Sequence, residues 1–133
     1  MASSRTESIN AVQAEYIAKT QQNLHVAEGF LNPLYPEDAR HAVNMASTAI
    51  RRLVEMSKRR RGNSRAELIV QVRYYQIWQS TLAVVLERAK GDFPEARWLL
   101  MHNSEELTDL CRSYPDRPEF AELLEKIKKW RST

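Results

Sequence analysis

The amino-acid sequence predicts an all-α protein of five to six helices. Three glycines in 133 residues are too few for the turns of a β-sandwich, which need residues that tolerate positive φ. Apolar residues recur at steps of three and four in five successive segments. The segments are punctuated by helix starts of the type Pro-Glu, at positions 36, 94 and 118, and by glycines at 29, 62 and 91. At 43% hydrophobic and 28% charged residues, the chain has the material for one core, so a single domain over residues 1–133 is expected, with 1–7 disordered.

The first segment, Ser8 to Glu28, opens at polar Thr6 and Ser8 and carries a broken stripe of Ile9, Val12, Tyr16, Leu24 and Ala27. Phe30-Leu31-Asn32-Pro33-Leu34-Tyr35 cannot be regular helix. It is too apolar for a solvated linker, and a strap packed against the core is expected. The second segment begins Pro36-Glu37-Asp38, acids where the helix dipole favours them, and ends Lys58-Arg59-Arg60-Arg61-Gly62, with cations in the last turn. Its seam of Ala39, Ala42, Ala46, Ala49, Leu53 and Met56 is small enough for a close neighbour. The third segment starts at a capping box, Ser64-Arg65-Ala66-Glu67. Leu68, Val72, Tyr75, Leu82, Leu86 and Ala89 form one stripe, and Val70, Tyr74, Ile77, Trp78 and Val85 a second. Alternation over Leu68–Trp78 also fits a strand, but the capping box and the pattern to Ala89 favour helix. The fourth segment, from Asp92-Phe93-Pro94-Glu95, carries Trp98 to Met101 and has a possible restart at Asn103-Ser104-Glu105-Glu106. The fifth, Pro118 to Trp130, is a one-sided stripe of Phe120, Leu123, Leu124, Ile127 and Trp130.

Function is read mainly by exclusion. No phosphate-binding glycine loop, zinc-protease helix or nucleophile elbow occurs in the chain. Cys111 is the single cysteine, which excludes a disulfide framework and fits a reducing cytoplasm. The longest apolar run is five residues, Leu82 to Leu86, and Met1–Arg5 has no apolar leader core, so neither a membrane span nor a secretory signal is expected. His41 follows Glu37 by four residues, a spacing more often a surface helix pair than a metal or proton site. His102 and Cys111 could form a base–thiol couple only if the fourth segment folds back; a buried small hydrophobe is the plainer role for Cys111. No catalytic residue, metal or cofactor is expected.

Charge is distributed unevenly. Arg51 to Arg73 holds eight cations against two acids, whereas Asp92 to Glu125 holds nine acids against three cations. The basic patch of Arg51, Arg52, Lys58, Arg59, Arg60, Arg61 and Arg65 is either a solvated helix end or an anion-binding surface. A nucleic-acid accessory role would use this Arg51–Arg73 surface, with Tyr74 or Tyr75 stacking on bases. The aromatic density of the third segment points instead to protein contact. Tyr74, Tyr75, Trp78, Leu82 and Val85 are the candidate partner-binding residues, with core packing as the alternative for Tyr74, Trp78 and Val85.

Arg51-Arg52-Leu53-Val54-Glu55, then Arg73-Tyr74-Tyr75-Gln76-Ile77 leading into Leu82-Ala83-Val84-Val85-Leu86 and Phe93-Pro94, resembles quorum-sensing antiactivators of the TraM/QslA type over the stretch from Leu34 to Pro94. The resemblance implies a small cytoplasmic helical protein built on a long antiparallel helix pair in the middle of the chain. It also implies a non-enzymatic regulator, homodimeric or partner-seeking, that sequesters a LuxR-type transcription factor and blocks its dimerisation or DNA binding. Such a regulator works by mass action, binding only the inactive form of its target. The chain departs from these proteins in a longer prefix and in everything after Pro94.

Overall fold

The computed structural model describes residues 2–91 and 93–132, with side chains from Ser8 onward. The protein is all-α. Among the described residues there are five helices: α1 (Ala2–Gly29), α2 (Pro36–Arg59), α3 (Gly62–Lys90), α4 (Pro94–Ser113) and α5 (Pro118–Ser132). The possible strand at Leu68–Trp78 is helix throughout. α1 begins at Ala2, so its backbone takes in residues 2–7; Met1 lies outside the described residues.

Proline sets the starts of α2 and α4. In each the first helical residue is Pro, and the residues before them, Tyr35 and Phe93, cap without a side-chain hydrogen bond. Proline removes one orphan donor, and the Ala39 and Ala96 amides donate to the Tyr35 and Phe93 carbonyls at 2.9 and 3.0 Å. Between α2 and α3 the chain turns in two residues, and Gly62 takes φ +62°, left-handed backbone that favours glycine. Gly62 therefore opens α3, and Ser64 lies inside the first turn where the capping box had placed it at the N-cap. α4 is unbroken across Asn103. That side chain is buried and donates to Ser80 Oγ and Thr81 Oγ1, both at 3.2 Å, so it ties α4 to α3 and does not restart a helix.

The chain divides into two compact units, Met1–Tyr75 and Gln76–Thr133. The division falls within α3, between Tyr75 and Gln76. In the first unit α1 packs along α2. Thr20, Leu24 and Ala27 of α1 and the Ala39–Leu53 seam of α2 are buried, together with Leu68, Val72, Tyr74 and Tyr75. Thr20 returns its hydroxyl to the Tyr16 carbonyl at 2.8 Å, which makes its burial affordable. In the second unit α4 packs along α5, burying Leu100, Leu107, Phe120, Leu123 and Ile127 with Trp78, Leu82 and Leu86. Arg88 donates to the Trp130 carbonyl at 3.0 Å, fastening α3 to the end of α5.

The connector between α1 and α2 is less packed than its composition suggests. Phe30 and Leu31 are half-buried, and Phe30 meets Tyr35 edge to face at 6.0 Å, but Leu34 and Tyr35 are exposed. Its fold is local, with the Tyr35 amide donating to the Phe30 carbonyl at 2.8 Å.

Candidate protein-binding surface

The aromatic face expected to meet a partner lies inside the protein. Tyr75 and Leu82 are fully buried, Tyr74 and Trp78 are nearly so, and Val85 is half-buried against the cluster of Val84, Ala96 and Leu100. The physical reason is that α3 is covered on both stripes by its own chain. Lys126 of α5 lies 5.4 Å over the Trp78 ring, and Gln71 donates to the Tyr75 hydroxyl at 2.6 Å. Core packing accounts for Tyr74, Tyr75, Trp78 and Leu82, and none of them offers an open anchor.

The basic patch is placed as the sequence implies. Arg51, Arg52, Lys58, Arg59, Arg61 and Arg65 are exposed, and Arg60 is half-buried, donating to Gln13 Oε1 at 2.6 Å. On α2, Arg51, Arg52, Lys58 and Arg59 fall within an arc of about 120° at 100° per residue. Arg52 faces Glu55 at 3.6 Å, a solvated pair of little energetic weight. The base-stacking role foreseen for Tyr74 or Tyr75 is excluded by their burial.

The base–thiol couple weighed for His102 and Cys111 does not form. α4 is one straight run from His102 to Cys111, so the two residues are about 13 Å apart along its axis and cannot share a proton. Burial pushes the Cys111 thiol above its ordinary range, partly offset by Lys128, which leaves it a poor nucleophile at neutral pH. His41 and Glu37 are both exposed on α2. Among the described residues no three of His, Cys, Asp and Glu converge as metal ligands, and no helix is long and apolar enough to cross a membrane.

An open apolar surface lies on α4, where sequence reasoning did not place it. Trp98 is 57% exposed and Met101 38%. The buried face of α4 is Ala96, Leu100, Asn103, Ser104 and Leu107, and Trp98 is about 160° around the helix from Leu100. The indole is held in place. It stacks on the His102 ring at 5.2 Å and 3° from parallel, and His102 Nε2 is 2.8 Å from Glu106 Oε1. Pro94, Arg97, Trp98, Leu100, Met101 and Arg131 line a shallow cavity of about 500 Å³. A signal for this was present. Trp98-Leu99-Leu100-Met101 are four consecutive apolar residues, and successive helical positions 100° apart cannot all enter one core. Trp, Met and Arg around a concave floor have the composition of an interface centre. Compared with protein-family models, with curated proteins and with solved structures, the chain matches none.

Proposed function

We propose that this protein is a non-enzymatic protein-binding regulator, an antiactivator that sequesters a LuxR-type transcription factor in the cytoplasm and blocks its dimerisation or DNA binding. The observation that carries the reading is Trp98: a large ring left more than half exposed, preorganised by its stack on His102 and flanked by Met101, Arg97 and Arg131. Burying the exposed part of an indole contributes on the order of 3 kcal/mol, at little entropic cost when the ring is already ordered. The resemblance of the Leu34–Pro94 stretch to antiactivators supplies the kind of partner.

The test is a mobility-shift titration of a purified LuxR-type regulator on its DNA site. The shifted band disappears at about one equivalent of this protein when both are well above Kd. Trp98→Ala, a solvent-face change, restores the band without altering the helical circular dichroism. A band unaffected by tenfold excess sinks the reading.

A second reading, a nucleic-acid accessory protein, is favoured by the cationic arc of α2. It requires duplex retention that falls steeply with salt and is lost on neutralising Arg59, Arg60 and Arg61 together.

A further inference from the structure

The Met1–Tyr75 unit carries its own groove. Among the described residues of α1, the buried ones are Thr20, Leu24 and Ala27 in its second half, whereas Ile9 and Val12 are 40% and 43% exposed. The open part of the seam is a cavity of about 390 Å³, with Ile9, Val12 and Tyr16 on one wall and Met56 on the other. Arg52, Arg59 and Arg60 border it against a single acid, Glu55. Ile9, Val12 and Tyr16 share one face of α1. From Ser8 to Tyr16, and from Arg52 to Arg60, each wall runs about 12 Å, two turns of helix. The Arg60–Gln13 hydrogen bond at 2.6 Å fixes the two walls together.

We infer that this groove docks an acidic amphipathic helix of a partner protein, an assignment that rests on the protein-binding reading and names the partner's chemistry. Anchors at i, i+3 or i+4, and i+7 span about 10 Å, matching the apolar floor. Glutamates or aspartates on the flank of such a helix meet Arg52, Arg59 and Arg60 at the rim, where charge sets orientation and rate of encounter. A DNA duplex would satisfy the arginines but leave Ile9, Val12 and Met56 facing phosphate and water.

The experiment uses the full chain and two fluorescein-labelled peptides of about 18 residues, long enough for a marginal helix. Both carry Leu at the anchor spacing; one has Glu on its flanks, the other Lys. The acidic peptide binds at least about tenfold more tightly than the basic one, and its affinity falls as salt rises from about 50 to about 500 mM. Val12→Glu and Arg59→Glu each weaken it about tenfold or more, while Arg112→Glu, the same charge change on an exposed α4 residue, leaves it unchanged. Equal affinity for the two peptides overturns the assignment, as does normal binding by folded Val12→Glu. Retention of duplex DNA with neither peptide bound overturns it in favour of the nucleic-acid reading. Self-association abolished by Val12→Glu, with no peptide binding, overturns it in favour of a second copy. No regulator and no DNA shift enter the peptide measurement, so its failure is separate from failure of the antiactivator titration.

Discussion

Replacing Leu82 by alanine separates core from contact surface on α3. Leu82 has no exposed surface. Leu→Ala at such a site removes the transfer energy of the lost carbons and leaves a partly uncollapsed cavity, together about 3–4 kcal/mol. A chain of 133 residues has an unfolding entropy near 2.1 cal/mol/K per residue, so each kcal/mol moves the melting midpoint by about 3–4 °C. Leu82→Ala is therefore expected to melt about 10 °C or more below the parent, measured by circular dichroism at 222 nm. Trp98→Ala, on the open face of α4, is expected to shift the midpoint by no more than about 2 °C. If Leu82→Ala melts with the parent, or if Trp98→Ala is the more destabilised of the two, the assignment of α3 to the core and α4 to the surface is wrong.

Gly62→Ala forces a Cβ into left-handed backbone at φ +62° and is expected to cost about 1 kcal/mol, read as a lower urea midpoint at unchanged slope. Asn103→Ala removes the amide that donates to Ser80 and Thr81, and should lower stability by about 1–3 kcal/mol in the same titration. The Cys111 thiol, held above its usual pKa by burial, should react with a disulfide reagent more slowly than free cysteine at pH 7, with the rate rising only at higher pH than free cysteine needs. Lys128→Ala removes the one opposing influence and should slow that reaction further. A faster reaction in this variant would contradict the placement of the lysine beside the thiol.

Local chemistry made most of the fold legible. The Pro-Glu starts at 36, 94 and 118 are the observed first residues of α2, α4 and α5, because proline's fixed φ and missing donor suit the first helical position wherever the rest of the chain lies. The α2 seam was equally readable, since alanines at alternating three and four residue steps permit one kind of neighbour. Two elements misled through polar side chains. Ser64 resembled an N-cap until Gly62 opened the helix before it, and Asn103 resembled a restart while its amide was engaged by α3.

The sequence by itself determined that the protein is helical, where α2, α4 and α5 begin, and that its cations concentrate in the second and early third helices. Only the tertiary structure decided which apolar stripes are covered. Periodicity states which residues share a face of a helix, but coverage of that face comes from residues distant in the chain. The Trp78 ring lies beneath Lys126 of α5 and is enclosed. Trp98, on an equally apolar stretch, faces away from Leu100 and stays open because the α4 core needs only one side of its helix.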